Sequence, residues 1–495
     1  FIIVVFLLVS KRVDELTRTL ETNKYMKKIL ILGAIIAAAS TASAKVTLPR
    51  IFSNGMVMQQ QTEANLWGTA KANATVKITA SWNKKTITTK TDNDGKWKVS
   101  ITTPSAGGPY SITFNDGEKT VVNDILMGEL WICSGQSNME MPMKGFKNQP
   151  VENAVEDILH SSDKEMRLFT VKRTSKFEPQ EDVVGSWQEA SPMAVRDFSA
   201  TAYHFGRELR RMLNVPVGLI VTSWGGSSCE AWMRRDWLKA FPQIELPESQ
   251  ETIKSKNRTA TVLYNGMLHP LAGIAMRGVI WYQGEENVSR SSYYADLFSR
   301  MIQGWREEWQ RGDFPFYFCQ IAPYDYSLIN WQQYNSAFLR EQQAKAEQMN
   351  KNVGMAVLMD AGLEYGIHPR KKQIAGMRLA LLALDKTYGI KGITSESACY
   401  KNVEFKGDTA VVSFDRAGMW IYGKNGLKSD LVEVAGADSV FHPAKAWIER
   451  SKLYVKSDKV KNPVSVRYAF KDWADGDLFC DGLPISSFRT DDWKK

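Results

Sequence analysis

The stretch Trp131-Ile132-Cys133-Ser134-Gly135-Gln136-Ser137-Asn138-Met139-Glu140 offers a hydroxyl at a place suited to chemistry. An apolar run ends at Ser134-Gly135, and Ser137 follows two residues after the glycine. Open α/β sheets bind ligands at the carboxyl ends of their strands, and this spacing presents a serine there. Met139 stands where the nucleophile elbow of the α/β-hydrolases has its second glycine, so that motif does not apply. Three further apolar runs end in residues that could serve such a serine. Run 217–223 leads into Trp224-Gly225-Gly226, whose glycines permit close backbone approach, so that their N–H groups can face a ligand. Run 279–283 leads into Gly284-Glu285-Glu286-Asn287 and offers a side-chain amide. Run 353–359 leads into Asp360 and, a few residues later, Ile367-His368-Pro369. Backbone N–H groups and an Asn amide together can stabilise a tetrahedral oxyanion, and a histidine can take the serine proton. The chemistry these types support is acyl transfer.

The sequence holds five histidines: His160, His204, His269, His368 and His442. His160 lies in a long segment with no strand end nearby, His204 within an amphipathic helix, and His442 in a late β region. His269 precedes its strand rather than following it. His368 is expected to be the base, and activity should fall as the imidazole protonates, because only the neutral ring can accept a proton; activity flat from about pH 5 to 8 would count against an ordinary imidazole as that base. Gln136, Asn138 and Glu140 flank the serine and either meet substrate or bond the turn that positions it. Gln136, Gln283 and Glu285 are carried as candidate substrate contacts. Glu285 and Glu286 are adjacent and would point apart, which argues against a glycosidase pair lying across a sugar.

The elements that must position these groups can be read from periodicity. Residues 45–122 alternate in short strands, with a hairpin turn expected at Asp92-Asn93-Asp94-Gly95 and a chain break at Gly107-Gly108-Pro109-Tyr110, and read as a small β-sandwich. Within 123–386, five near-continuous apolar runs (126–133, 217–223, 279–283, 314–321 and 353–359) alternate with helix-like segments at 199–213, 293–309, 334–349 and 371–384. That pattern predicts an α/β domain whose parallel sheet is covered on both faces. Residues 134–197 exceed one crossover, so an insertion or lid is expected there. Residues 387–495 return to short alternating pieces and read as a second β-rich module.

The opening residues look like processing signals. Met26-Lys27-Lys28, an apolar run over 29–38 and Ala42-Ser43-Ala44 have the layout of a secretory signal peptide, with cleavage expected before Lys45. Residues 1–25 then read as upstream sequence, and the protein as exported, periplasmic or extracellular. The formal charge is +9, of which six Lys/Arg and three Asp/Glu lie in 1–44. The modest remainder, without blocks of like charge, suggests neither nucleic acid nor a membrane surface as partner. Sixteen Trp and 17 Tyr allow exposed platforms for sugars, although most should be core. Cys133, Cys229 and Cys319 read as buried hydrophobes, while Cys399 and Cys480 could pair. No Cys/His pattern suggests structural zinc.

Gly-Gln-Ser-Asn-Met, Trp-Gly-Gly, Trp-Tyr-Gln-Gly-Glu-x-Asn and Ile-His-Pro, in this order, resemble the sialate O-acetylesterase family of the SGNH hydrolase superfamily. Leu48-Pro49-Arg50-Ile51-Phe52 and Phe488-Arg489-Thr490-Asp491-Asp492-Trp493 extend the resemblance over nearly the whole chain after residue 44. It implies a flavodoxin-like three-layer α/β/α domain with a five-stranded parallel sheet, flanked by the β-rich modules. It further implies Ser137 as nucleophile, His368 as base, and an oxyanion hole from the N–H groups of Ser137 and Gly226 (or Gly225) and the Asn287 amide. The activity implied is removal of O-acetyl groups from a sugar or glycan, foremost sialic acid, without metal or cofactor. An acetyl esterase for xylan or another polysaccharide, or a sugar-binding protein without turnover, are the alternatives. The chain departs from the family where many members have an aspartate three residues before the histidine: Tyr365 stands there, and Gly366 follows. Asp360 could turn back to the imidazole or could merely structure its loop. A Ser-His dyad oriented by a backbone carbonyl is the other solution.

Overall fold

The strand Lys119–Gly135, 17 residues long, is the axis of the molecule. Its first residues alternate between exposed and buried and pair antiparallel with Gly107–Asn115 in the amino-terminal module. From Ile125 onward every side chain is buried, because the same strand has entered the middle of a second sheet. The passage between the two is marked at Asp124, which has φ of +55° and pairs with the guanidinium of buried Arg167. The boundary expected after residue 122 therefore falls inside one continuous strand. The computed structural model describes residues 45–328 and 335–493; the expected signal segment and the first residue of the expected 334–349 helix lie outside them.

All five expected apolar runs are strands of one sheet: Lys119–Gly135, Val217–Ser223, Gly278–Tyr282, Phe316–Cys319 and Val353–Ala356. They pair in parallel, and numbered by their order in the chain they lie side by side as 2-1-3-4-5. The five-stranded expectation needs correction, because a sixth parallel strand, Asp163–Thr170, pairs with Val217–Ser223, and antiparallel Trp187–Ala190 closes that edge. Its sequence, Asp-Lys-Glu-Met-Arg-Leu-Phe-Thr, lacks a long apolar run because pairing with Val217–Ser223 begins only at Met166, so the charged residues before it face water. Arg167 remains buried in this strand by virtue of its carboxylate partner.

Residues of the central strand alternate between two cores. Leu130 and Ile132 face the core that includes Trp281, Trp305 and Phe316, whereas Trp131 and Cys133 face the one that includes Phe205, Leu219 and Leu379. Helices Tyr294–Trp309 and Ala337–Met349 contribute to the first, and Ala200–Leu213 and Lys372–Leu382 to the second. Three layers follow from this period-two alternation. Each large apolar side chain that is fully buried contributes roughly 1.5–3 kcal/mol by leaving water.

In the amino-terminal module, Asp92 Oδ1 accepts from the N–H groups of Asp94 and Lys96, so the chain turns there, but the expected hairpin needs correction. The strands on its two sides, Thr86–Lys90 and Lys96–Thr102, do not pair with each other; they pair with Thr75–Ala80 and Glu63–Thr69. The carboxyl-terminal β region is bolted to the α/β layers through Arg340 of helix Ala337–Met349. This fully buried guanidinium donates to Ser487 Oγ at 3.0 Å and Ser336 Oγ at 3.1 Å, and also to the Lys471 carbonyl. Cys399 and Cys480 are both free thiols, so the pairing they could have formed is absent. Among the described residues no helix is long and apolar enough to cross a membrane.

Candidate active site

Ser137 stands where the strand order of the sheet reverses, between the ends of Lys119–Gly135 and Gly278–Tyr282. The chain can turn there because residue 135 is glycine: φ is +137°, and a Cβ would lie 2.1 Å from the Tyr282 carbonyl oxygen. Gln136 N–H then donates to that carbonyl at 2.9 Å, and Ser137 opens a single helical turn, Ser137–Glu140. Asn138 and Met139 are buried beneath it, where Thr201 Oγ1 donates to the Asn138 carbonyl at 3.0 Å and Ser199 Oγ to that of Met139 at 2.6 Å. Ser137 itself remains partly exposed.

The glycine pair packs directly on the serine. A Cβ on Gly225 would lie 3.3 Å from Ser137 Cβ, so no larger residue fits without displacement. Gly225 N–H donates to the Glu140 carboxylate and is thereby used, whereas Gly226, at φ +65°, has no acceptor for its N–H among the described residues. Of the two glycines left open by the sequence, Gly226 is the one with a free donor. Asn287 is fully buried; its Oδ1 accepts from Cys229 N–H at 3.0 Å and Gln283 Nε2 at 2.7 Å, and its Nδ2 donates to Glu230 Oε2 at 2.9 Å. These bonds fix which way the amide faces and leave one of its two N–H groups unassigned.

The histidine arrives by a different route. After Val353–Ala356, an edge strand of the sheet, the chain runs back toward the serine, and Asn138 Nδ2 donates to the Ile367 carbonyl at 3.1 Å. His368 is therefore anchored through the residue before it to the residue after Ser137. Its Nδ1 bonds to the Gln149 side-chain oxygen, and the Phe146 ring meets the imidazole edge-on with centroids 5.1 Å apart. Gln149 and Phe146 exchange backbone hydrogen bonds, both at 3.0 Å, so one tight turn delivers both contacts. With the amide oxygen on Nδ1, the ring proton sits there and the Nε2 lone pair is free. Burial, and secondarily the Lys372 cation, lower the imidazole pKa to about 4.

Other expected residues fall elsewhere. Both carboxylate oxygens of Asp360 are held by Arg378, at 2.6 and 2.7 Å, and this fork ties its loop to helix Lys372–Leu382 instead of reaching the imidazole. The proposed substrate contacts Gln136, Gln283 and Glu285 are buried and committed to the floor of the site. Gln136 Oε1 accepts from Gly284 and Glu286 N–H at 3.2 and 3.3 Å. Gln283 Nε2 donates to the Ser227 carbonyl at 3.0 Å and to Asn287, while its Oε1 accepts from Tyr294. Glu285 Oε1 accepts from Asn138 at 2.5 Å. Of the flanking residues, Glu140 pairs with Arg173, whose guanidinium lies 5.9 Å from the centroid of the Trp224 ring. His269, the alternative base, lies 3.9 Å from Glu308. Beside the serine turn a cavity of about 320 Å³ opens, lined among others by Glu140, Phe146, Lys172, Arg173 and Ser223.

Gln149 and Lys372 had no signal in the sequence as site residues. Gln149 belongs to the segment expected to be an insertion or lid, and Lys372 was legible only as part of an apolar-spaced helix.

With the geometry in place, comparison with known proteins gives a consistent result. Residues 127–365 match the family model described as carbohydrate esterase, sialic acid-specific acetylesterase. Sialate O-acetylesterase of Rattus norvegicus is 31% identical over 438 residues, covering 76% of this chain and 80% of that protein. The Homo sapiens sialate O-acetylesterase is 30% identical over 417 residues, covering 76% and 77%. Among solved structures, a carbohydrate acetylesterase from Xanthomonas citri superposes with a TM-score of 0.83 at 34% identity, over 91% of this chain and all of that one.

Proposed function

The chain belongs to the sialate O-acetylesterase family and is a carboxylic ester hydrolase, and from that premise we propose that it deacetylates O-acetylated sialic acid through an acetyl-enzyme on Ser137. His368 Nε2 takes the proton of Ser137 Oγ as the oxygen attacks the acetyl carbonyl. Gln149 accepts from Nδ1–H and holds the imidazole in the tautomer that makes Nε2 basic. Negative charge on the carbonyl oxygen is met by the N–H groups of Ser137 and Gly226 and by the second N–H of the Asn287 amide. The protonated His368 returns its proton to the leaving sugar hydroxyl. Water, deprotonated by the same Nε2, then attacks the acetyl-serine, and His368 returns that proton to Ser137 Oγ as the ester bond breaks and acetic acid is released. The cavity next to the reacting pair, lined by Glu140 of the serine turn and by Phe146, which also meets the imidazole, supports placing part of the sugar there, and its volume lies in the range of small-ligand pockets, roughly 300–1,000 Å³.

The observation that carries this reading is the bond from Asn138 to the Ile367 carbonyl, which brings the serine turn and the histidine loop together. The motif Met26-Lys27-Lys28, with the apolar run and small residues that follow, supports export, so that substrate is met outside the cytoplasm. Acetate release from O-acetylated sialic acid and from acetylated xylan, by wild type and by Ser137→Ala, is the test. Faster release from the sialic acid, abolished in Ser137→Ala, is expected. Preference for xylan would overturn the substrate, and an active Ser137→Ala would overturn the nucleophile.

A further inference from the structure

Under the serine turn lies a charged network that the acyl-transfer mechanism does not use. Lys372, four residues after His368, is 1% exposed. Its Nζ donates to Asn138 Oδ1. The same Asn138 amide donates from Nδ2 to Glu285 Oε1 at 2.5 Å and to the Ile367 carbonyl at 3.1 Å. One amide is thus held between a buried cation and a buried carboxylate, which fixes its orientation: only the oxygen can face the ammonium, and only the nitrogen can face the carboxylate. The residue so fixed immediately follows Ser137, and the carbonyl it grips immediately precedes His368.

The placement of this lysine is costly. It occupies the first position of helix Lys372–Leu382, where the exposed N–H groups disfavour a cation, and no acidic residue stands in that first turn. Burying a charge whose counter-charge, Glu285, is reached only through the Asn138 amide is also unfavourable. Nothing about the helix or the core requires a cation here, since an apolar side chain could overlie the Tyr282 ring that lies 5.6 Å from Nζ. We propose that Lys372 is a positioning residue for the reaction, holding Asn138 so that Ser137 and His368 stay in register. This inference rests on Ser137 and His368 being the acting pair.

The groups facing this cation come from each surrounding element: Glu285 and Tyr282 from the third strand and its loop, Cys319 from the fourth, Asn138 from the serine turn, and His368 from the loop before the helix. Further out, Arg378 of the same helix acts on Cys319, and Tyr326 feels Glu285. Burial lowers the Lys372 pKa to about 7, with Glu285 opposing, so it is charged across the acidic range where His368 must stay neutral.

Three variants test the proposal with 4-nitrophenyl acetate across pH: Lys372→Met, Lys372→Gln and Lys372→Arg, each checked for folding by circular dichroism. Lys372→Met should lower kcat about 10–100-fold with KM little changed, as expected when reacting groups are misplaced without loss of substrate contacts. Its acid limb should move to higher pH, because the cation that opposes protonation of His368 is gone. Lys372→Gln keeps a donor without charge and should shift the acid limb while retaining more of kcat; Lys372→Arg keeps the charge and should leave the limb in place. Should Lys372→Met not fold, the Gln and Arg pair carries the comparison. Wild-type kcat and acid limb in a folded Lys372→Gln, or equal shifts in Gln and Arg variants, would overturn the proposal. So would loss of folding in all three, which would make the lysine a stability residue only. If Ser137→Ala or His368→Ala proves fully active, it is the acting pair that fails.

Discussion

Gln149 occupies, on the Nδ1 side of His368, the place that a triad aspartate would take, and it comes from the segment between the first two expected strands rather than from the histidine's own loop. A neutral amide can orient an imidazole but supplies no charge to stabilise an imidazolium. Replacing it separates these two roles. Gln149→Ala should lower kcat about 10–100-fold, with the ring free to rotate. Gln149→Glu should raise the acid limb of kcat/KM, because a carboxylate beside Nδ1 favours the protonated ring. An unchanged pH profile in Gln149→Glu would contradict this contact.

The pH dependence of the wild type follows from the same environment. The sequence leads one to expect an ordinary histidine, with a pKa of about 6.5, that loses half its base function near that pH; the environment of His368 corrects that expectation. In His368, burial and then Lys372 lower the value to about 4. Lowering favours the neutral form, so the active species persists as pH falls and is lost only on passing through about 4. kcat/KM should therefore be level from about pH 5 to 8 and drop below that. Deprotonation of Lys372 near pH 7 leaves this unchanged, since the imidazole is already neutral there and the neutral amine still donates to Asn138 Oδ1. Measured kcat/KM that halves near 6.5 would mean that the histidine is solvated in the working enzyme.

Asp360 is the nearest acid to a triad position by sequence, yet its carboxylate is spent on Arg378. Asp360→Asn should weaken the fold by about 1–3 kcal/mol, the cost of depriving a buried guanidinium of a charged acceptor, and should leave kcat within a few-fold once the protein is folded. Urea midpoints and kcat measured side by side check this. A loss of kcat comparable to that of His368→Ala, with stability intact, would restore Asp360 to the catalytic group.

Gly135 is required by geometry rather than by chemistry. Alanine there would place a Cβ 2.1 Å from the Tyr282 carbonyl oxygen in a backbone conformation with φ of +137°. Gly135→Ala should destabilise by about 2 kcal/mol or more and lower activity through displacement of Ser137. A thermal melt matching wild type would contradict the tight approach.

The apolar runs showed where the sheet strands lie because buried parallel strands have no face on which to carry charge. They also located the serine, the glycine pair, Asn287 and His368, all of which follow strand ends. The sixth parallel strand escaped because it lies near the sheet edge and carries Arg167, Lys164 and two acids. Gln149 escaped because a loop residue that meets the site through a long-range contact leaves no periodic trace. Lys372 read as a helix residue, since a buried cation is indistinguishable in sequence from a surface one until its partners from two distant segments are placed. Gln136, Gln283 and Glu285 were misplaced toward substrate for the converse reason: polar side chains beside a nucleophile can as easily build its floor.

The central claim is that acetyl passes through Ser137 with His368 as base. Acid-quenching the enzyme during turnover of 4-nitrophenyl acetate, followed by peptide mass spectrometry, tests it directly. An acetyl group on the peptide carrying Ser137, absent from Ser137→Ala and greatly reduced in His368→Ala, is expected. Acetylation at another residue, or undiminished turnover in Ser137→Ala, would contradict it.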